Sequence, residues 1–206
     1  TWWQRAVDTV LDRTLIGGYT SIGYRVRSSW WPENDPQPGS LPSKVVLVTG
    51  GNSGMGSATV ERLVTLGARV LMVARTRDRS EKVAADLRDR HPGARIDVLT
   101  ADLGDLDQVR DLAAEVKGLT DRLDVLVHNA GALPAERSET AQGHETTFAV
   151  HVLGPVLLTE LLRPLLAAAG GARVILVSSG GMYTAGLHLD DLEYRQGDYR
   201  GAVAYA

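Results

Sequence analysis

The sequence predicts an α/β fold built on a doubly wound parallel sheet, and three observations favour it. From Lys44 onward, short apolar runs alternate with longer segments of helical character. The runs at 45–48, 70–73 and 174–177 are continuously apolar, as strands buried on both faces require. A glycine-rich turn, TGGNSGMG at 49–56, joins the first run to the first helical segment. This strand, turn and helix form the unit around which we place the other elements.

The main domain is predicted to span residues 44–206. Parallel strands need a crossover between them, usually a helix, and the alternation along the chain supplies one each time. We place the strands near 45–49, 69–74, 95–99, 123–128 and 172–178. We place the helices near 55–66, 79–90, 105–117 and 141–168.

Residues 1–43 differ in character and are predicted to form an amphipathic arm with a linker. Apolar side chains recur at helical spacing from Trp3 to Leu15, with charged residues between them, so a helix should end near residues 17–18. An aromatic tract and a proline-rich linker at 32–42 follow, and all four tryptophans of the protein lie in this arm. We weigh two interpretations: an arm packed on the main domain, or a segment that contacts a membrane surface or a partner.

Composition narrows the class of function. The 206 residues are 44% apolar and 23% charged, as in a soluble globular protein. A net charge of −3, with basic residues spread along the chain, gives no reason to expect a nucleic-acid partner. The sequence has no cysteine, which excludes disulfides and thiolate catalysis, and too few other ligands converge for a metal site. We expect a cytoplasmic protein, peripheral to a membrane if the arm docks there.

The glycine-rich turn has the features of a phosphate cradle. Gly50 permits the tight turn, Gly54 lets backbone approach a pyrophosphate, and Gly56 lets the helix pack near the strand. The start of the following helix offers free N–H groups and a positive dipole end to an anion. From this turn we predict cofactor contacts at Gly50, Asn52, Ser53, Gly54 and Met55.

Three further strand ends should face the same crevice, because ligands of a doubly wound sheet bind outside the carboxyl ends of its strands. After the second strand, Arg75 stands where an acidic residue would read the ribose of NAD, and an arginine there favours the 2′-phosphate of NADP. Asp102 could accept from the adenine amino group, or it could cap the next helix, a role for which Asp105 competes. The predicted contacts from these strand ends are Arg75, Asp102, Leu103, Asn129, Ala130 and Gly131.

In combination these motifs resemble the short-chain dehydrogenase/reductase family, and the resemblance covers residues 44–206. It rests on TGGNSGMG, on Asp102 and Leu103, on HNAG at 128–131, on VSS at 177–179 and on a late tyrosine. Within the family, LVTGGNSGMG, VSSGGM and GYTSIGY are most similar to the retinol-dehydrogenase-like branch, in particular to the dehydrogenase/reductase member 12 group. The resemblance implies a Rossmann fold and a nicotinamide cofactor.

The resemblance also implies a catalytic serine, tyrosine and lysine, often with an asparagine that supports a proton relay. Ser179 and Tyr205 match the serine and the tyrosine. The lysine normally follows four residues after the tyrosine, so we expect the fold to be incomplete at its C-terminus and the biological chain to continue past Ala206. His151 stands where the family commonly has the asparagine; it is a third catalytic candidate, or a packed core histidine. His128 replaces an asparagine of the family and should make a structural hydrogen bond.

We therefore expect an NADP-dependent oxidoreductase that moves hydride between nicotinamide and a carbonyl or secondary alcohol. Turnover would require that the chain continue to the lysine. Apolar residues at 180–189 and the family analogy favour a hydrophobic small-molecule substrate, and the family is compatible with a homo-oligomer. Two alternatives stay open: a non-catalytic NADP-binding scaffold or sensor, and a fragment that binds the cofactor poorly.

Overall fold

The computed structural model describes residues 2–14, 18, 20–31 and 36–206. The chain divides into two compact units, Thr1–Gln37 and Pro38–Ala206. The predictions for Leu15, Gly17, Tyr19 and the linker residues 32–35 lie outside the described residues.

In its described residues the arm has two helices, which one arginine holds together. They are α1, Trp2–Asp12, and α2, Ser21–Ser28, of which only the first was predicted. Arg27 of α2 donates from Nε to Asp8 Oδ1 (2.6 Å), from Nη2 to Asp12 Oδ1 (2.5 Å) and from Nη1 to the Gly18 carbonyl (3.0 Å). The hydrogen bond that Arg27 donates to Asp8, with the charges of Asp8 and Asp12, raises the pKa of Arg27. The arm is therefore a helical hairpin.

The main unit is organised around a five-stranded parallel sheet with the order β3-β2-β1-β4-β5. The strands are β1, Val45–Thr49; β2, Arg69–Ala74; β3, Arg95–Thr100; β4, Val125–His128; and β5, Arg173–Leu176. The first two coincide with the predicted ranges. Sequence order reverses direction between β1 and β4, which is the switch point where ligands of such sheets bind.

Helices cover both faces of the sheet, as the α/β prediction requires. On one face, α3 (Gly54–Thr65) and α4 (Arg77–Arg90) pack on side chains such as Val46 and Met72. On the other, α5 (Leu106–Leu119) and α6 (Thr146–Ala168) pack on side chains such as Leu47 and Leu126. A 3-10 turn, Gly180–Tyr183, and a short helix α7, Gly201–Tyr205, follow β5. The doubly wound fold is confirmed.

Helix α6 is long and departs from regular geometry near its start. It begins at Thr146 rather than near 141, because Glu145 caps it, and residues Ala149–Leu153 form a π-helical turn. By length and composition it is a candidate membrane span, but Leu158 and Leu162 are fully buried against the sheet. A core helix passes the same test of length and apolarity.

Strand β5 differs from the expectation of a strand buried on both faces. Its residues Val174, Ile175 and Leu176 are 43%, 44% and 66% exposed, whereas the residues of β1 are buried. β5 lies at one edge of the sheet and pairs with β4. The other edge strand, β3, buries Ile96 and Leu99 because α4 packs on it, so β5 is exposed because its faces lack such cover.

An aspartate joins the starts of β1 and β4. The Asp124 carboxylate, 5% exposed, accepts from the Val45 N–H and from Lys44 Nζ, each at 2.9 Å, and pairs with Arg122. Burial by itself would raise the pKa of Asp124, but the bonds from Arg122, Val45 and Lys44 outweigh it and lower the pKa to about 2. The carboxylate therefore stays charged in the folded protein over the physiological range.

Candidate functional site

A cleft of about 480 Å³ opens at the carboxyl ends of β1, β2, β3 and β4. Most of the residues predicted from the sequence line it: Gly50, Asn52, Ser53, Met55, Arg75, Asp102, Leu103, Asn129, Ala130, Gly131 and Tyr205. Three predicted residues, Gly54, His151 and Ser179, do not line it. The structure adds Thr49, Gly56, Val73, Ala74, Ala101, Ala132, Leu133 and Val150 to the wall.

The glycine-rich turn is shaped to leave its backbone open. Gly50 and Gly54 have φ angles of +68° and +52°, a region that favours glycine, and a Cβ on Gly54 would point into open space. A Cβ on Gly56 would overlap the carbonyl oxygen of Gly50, so the turn and the helix touch there. Ser53 caps α3 without a side-chain hydrogen bond to the first turn. The first N–H groups of α3 are therefore left for an anion.

Thr49 and Asn129 lock the turn to the end of β4. The fully buried Thr49 Oγ1 accepts from the N–H groups of Asn129 and Ala130, both at 3.0 Å. In return, Asn129 Nδ2 donates to the carbonyls of Thr49 (3.0 Å) and Gly50 (3.4 Å). The Asn129 amide is thus occupied in shaping the cleft. A threonine as the last strand residue before the first glycine was the available signal for this role.

Arg75 stands at the carboxyl end of β2 with its side chain exposed. Among the described residues it makes no ion pair. Arg77, two residues farther along the chain, does not line the cleft and pairs with Glu81 at 3.5 Å. The glycine-rich turn also contacts α4, because Asn52 Nδ2 donates to Ser80 Oγ at 3.1 Å.

The competition between Asp102 and Asp105 for the helix cap has a clear outcome. Asp105 caps α5, because its Oδ1 accepts from the N–H groups of Asp107 (3.0 Å) and Gln108 (3.4 Å). Asp102 instead accepts from the Gly104 N–H at 2.8 Å, which fixes its carboxylate at the edge of the cleft. The capping alternative for Asp102 is therefore wrong.

Ser179 and Tyr205 lie on either side of Gly181. Tyr205, on α7, is 38% exposed and lines the cleft. Ser179 precedes the 3-10 turn and accepts from the Gly181 N–H at 3.1 Å. A Cβ placed on Gly181 would lie 3.4 Å from Ser179 Oγ and 4.0 Å from Tyr205 Cδ1. The two hydroxyl residues are thus neighbours, although they are far apart in the sequence.

His151 lies in the π-helical turn, and both of its ring nitrogens contact backbone. Nδ1 donates to the Thr147 carbonyl (2.8 Å), and Nε2 accepts from the Ala132 N–H (3.3 Å). These partners assign the neutral tautomer with the proton on Nδ1. The ring also meets Tyr205 edge-on, with centroids 5.2 Å apart. His151 therefore joins α6, the loop after β4 and the predicted catalytic tyrosine.

A second cavity, of about 270 Å³, lies on the other side of α7. Its wall is mostly apolar and includes Met182, Leu187, Leu192 and Val203. Ala204 and Ala206 line this cavity, whereas Tyr205 between them lines the larger cleft. Tyr205 thus stands between two cavities.

The segment before α7 is fastened to the start of α6 by a buried carboxylate that the sequence did not reveal. Glu145, 1% exposed, accepts from the N–H groups of Thr147 (2.8 Å) and Phe148 (2.7 Å) and from the Tyr199 hydroxyl (3.1 Å). Burial, together with Glu145, raises the pKa of Tyr199. This Glu145–Tyr199 latch holds the chain that leads to Tyr205.

The lysines of the sequence lie away from the cleft. Lys44 pairs with Asp124, and Lys82 and Lys117 are exposed on α4 and α5. The cationic side chain among the residues that line the cleft is Arg75.

His128 has the structural role that was expected of it. It is 5% exposed, and its Nε2 lies 2.9 Å from Thr159 Oγ1. Since the Thr159 hydroxyl donates to the Pro155 carbonyl, His128 Nε2 must be the donor of that bond. Burial lowers the pKa of His128 to about 4, so the ring is neutral at pH 7.

Known proteins resemble the chain in sequence and in structure. Retinol dehydrogenase 14 of Homo sapiens is 37% identical over 182 residues, which cover 82% of this chain and 54% of that protein. Dehydrogenase/reductase SDR family member 12 of Homo sapiens is 34% identical over 188 residues, 91% of this chain and 59% of that protein. The chain spans about half the length of the curated relatives it matches.

A solved structure of the RhlG/NADP active-site complex of Pseudomonas aeruginosa matches with a TM-score of 0.64 and 28% identity. The match covers 83% of this chain and 63% of the chain in that solved structure. The family model described as short chain dehydrogenase matches residues 44–187, which include the sheet and the residues that line the cleft except Tyr205. The predicted retinol-dehydrogenase-like branch is confirmed by these relatives. The chain belongs to the short chain dehydrogenase family.

Proposed function

We propose that this chain forms the nucleotide-binding part of an NADP-dependent oxidoreductase acting on a carbonyl or secondary alcohol. The observation that carries the proposal is the position of Tyr205, which lines the same cleft as the glycine-rich turn and Arg75. The glycine-rich turn that would bind the cofactor phosphates, the arginine that would bind its ribose phosphate and the tyrosine that would exchange a proton then line the same cleft.

The residues of the cleft fit a dinucleotide. The open backbone at Gly54 and the free first turn of α3 suit a pyrophosphate, and Arg75 suits a 2′-phosphate. Asp102 would meet the adenine, and the backbone at 129–131 would lie along the adenosine and ribose. When bound, the nicotinamide would supply or accept hydride.

The chain's own contribution to the chemistry would be proton exchange. Ser179 would hold the reacting oxygen by a hydrogen bond. Tyr205 would donate its hydroxyl proton to that oxygen during reduction and accept one during oxidation. An unperturbed tyrosine has a pKa of about 10, so a cation is needed to stabilise the phenolate near neutral pH. By the family resemblance, a lysine would supply that cation.

His151 is better suited to positioning than to a relay. Both of its ring nitrogens are engaged by backbone, so a proton relay through it would first have to break the bond to Ala132 or to Thr147. We propose that it holds the loop that carries Gly131 and Ala132 in place beside Tyr205.

The second cavity supports a hydrophobic substrate. Its wall is mostly apolar and it adjoins Tyr205 on the side away from the glycine-rich turn. The reacting oxygen would lie in the larger cleft, where the Tyr205 side chain is, and an apolar tail would extend toward the second cavity.

A non-catalytic NADP-binding module is the rival function. Two observations favour it: no lysine lines the cleft among the described residues, and histidine replaces the usual asparagine at 151. The pairing of Ser179 with Tyr205 favours the enzyme.

Cofactor choice is tested by titrating the protein with NADPH and NADH and following nucleotide fluorescence. NADPH should bind more tightly, and Arg75→Ala should weaken NADPH about tenfold while leaving NADH nearly unchanged. Arg77→Ala is the matched control and should change neither affinity. Equal affinities for the two nucleotides would refute the role of Arg75, and no binding of either would favour the fragment.

Turnover is tested on the full-length protein with NADPH and a panel of apolar aldehydes and ketones. Tyr205→Phe should abolish reduction while leaving NADPH affinity within about twofold, since the ring stays in place. Undiminished turnover in Tyr205→Phe would refute the mechanism. NADPH binding without turnover in the unmodified protein would favour the scaffold or sensor.

A further inference from the structure

Tyr194 is held in a backbone conformation that disfavours a large side chain. Its φ angle is +47°, in the left-handed region that glycine and asparagine adopt most easily. The surrounding turn fixes it there, because the Tyr194 N–H donates to the Asp191 carbonyl at 3.1 Å. The Asp191 carboxylate in turn accepts from the N–H groups of Arg195 (2.8 Å) and Gln196 (3.0 Å). A bulky residue kept in such a conformation points to a role for its side chain.

The Tyr194 ring belongs to the wall of the second cavity. It meets His188 and Tyr199 edge-on, with centroids 6.3 Å and 6.1 Å away, and its hydroxyl donates to the Val203 carbonyl of α7 at 3.2 Å. His188 and Val203 line the same cavity, so the ring lies between two parts of its wall. Since the Tyr199 hydroxyl is bound to Glu145, the Tyr194 ring also rests against a fixed neighbour.

Apolar side chains make up most of the remaining wall, and they are poorly covered. Met182, Leu187 and Leu192 are 50%, 79% and 40% exposed. Exposed apolar groups around a concave space favour an apolar ligand, because the ligand removes them from water. The volume of about 270 Å³ has room for about nine methylene-sized groups at roughly 30 Å³ each. The cavity therefore suits an apolar chain of limited length.

We propose that Tyr194 is a specificity-determining residue, whose ring limits the apolar tail that the second cavity accepts. The substrate class is then a carbonyl compound or alcohol with a tail of that size, and a longer tail meets the Tyr194 ring. This inference rests on the proposed function, since the tail in the second cavity belongs to the molecule whose oxygen exchanges a proton with Tyr205.

Two variants separate the size of the wall from the attachment of α7. Tyr194→Phe removes the hydroxyl that binds Val203 and keeps the ring, whereas Tyr194→Ala removes both. Tyr194→Trp places a larger ring at the same position. Tyr183→Ala is the matched control, because it removes an equal ring, 55% exposed, from a position in the same segment outside the cavity wall.

Met182 supplies a reporter in the cavity wall. In the full-length protein with isotope-labelled methionine methyl groups, its NMR signal is identified by its loss in Met182→Leu. That signal should shift on titration with straight-chain 2-alkanones of increasing length. The signal of Met55 reports on the larger cleft, and the signal of the fully buried Met72 reports on the fold of each variant.

The affinity of the unmodified protein should rise about fourfold with each added methylene and stop rising once the cavity is full. In Tyr194→Ala the rise should continue for about two or more further methylene groups, because the ring that limits the cavity is gone. Tyr194→Trp should shorten the limit. Tyr194→Phe and Tyr183→Ala should keep the original limit, and kcat/KM for the same ketones with NADPH should follow the same length profile.

Several outcomes would overturn the proposal. They are an unchanged length limit in Tyr194→Ala or in Tyr194→Trp, an equal extension in Tyr183→Ala, and a ketone series that leaves the Met182 signal unshifted. An equal extension in Tyr194→Phe would assign the effect to the attachment of α7 instead. The titration needs neither NADPH nor turnover, so ketones that bind with this length limit and are not reduced would refute the enzymatic function alone.

Discussion

The Nδ1 atom of His128 is buried without a hydrogen-bond partner in the described structure, while Nε2 donates to Thr159. Burial lowers the pKa of this ring to about 4 from an unfolded value near 6.5. Because folding lowers this pKa, the contribution of His128 to the free energy of unfolding is complete above pH 6.5, the pKa of the unfolded state. It is lost as the pH falls from about 6.5 to about 4.

We predict that His128→Asn flattens this acid dependence. The free energy of unfolding of the unmodified protein should fall by roughly 3 kcal/mol more between pH 6.5 and 4 than that of the variant. Urea unfolding at a series of pH values measures it. His188→Asn, at an exposed loop position, should keep the original slope. An unchanged slope in His128→Asn would refute the assignment.

Asp124 affects the free energy of unfolding at lower pH than His128 does. Its pKa is lowered to about 2, so its contribution is complete above about pH 4 and disappears as the pH falls toward 2. We predict that Asp124→Asn costs about 2 to 3 kcal/mol at pH 7, because Lys44 and Arg122 lose their buried partner. Thermal and urea unfolding measure this loss. Asp121→Asn, at an exposed neighbouring position, should cost less than about 0.5 kcal/mol.

Individual residues were predictable from the sequence when their role followed from the strand end on which they lie. Arg75 and Asp102 reach the cleft for that reason. The tie between Thr49 and Asn129 was not predictable, because it joins residues 80 positions apart. Nor was the engagement of both His151 nitrogens, which depends on the register of a π-helical turn with a distant loop.

Among the elements, strands were easier to predict than helix starts. β1 and β2 are continuous apolar runs with sharp polar ends, and their observed bounds match the prediction. The start of α6 was misplaced, because a buried glutamate cap looks like any surface glutamate in a sequence. Helix α2 is short and mostly polar, and it depends on the ion pairs of Arg27 with α1, which periodicity alone does not reveal.

The Glu145–Tyr199 latch gives a prediction for α7. Tyr199→Phe keeps the ring but removes the bond to the carboxylate, so it should cost about 1.5 to 3 kcal/mol and speed amide exchange in Gly201–Tyr205. Tyr194→Phe is the matched control, since its hydroxyl donates to the neutral Val203 carbonyl at 3.2 Å. That variant should cost about 0.5 to 1.5 kcal/mol. Equal effects would mean that the charge of Glu145 contributes nothing.

For the whole molecule, the α/β class and the placement of the cleft followed from the alternation of elements. Both depend on patterns repeated along the chain, so errors at single boundaries did not matter. The burial of β5 was predicted wrongly. A run of apolar residues shows that other elements could cover a strand, but not that they do.

The uncovered β5 has a practical consequence for handling the 206-residue protein. An edge strand with exposed valine, isoleucine and leucine offers unpaired N–H and C=O groups to any extended chain of similar composition. Charge repulsion is weakest at the isoelectric point, near pH 5.9. Concentrated solutions close to that pH should therefore become turbid and bind amyloid dyes. Ile175→Lys, which places a charge on this edge strand, should keep the solutions clear.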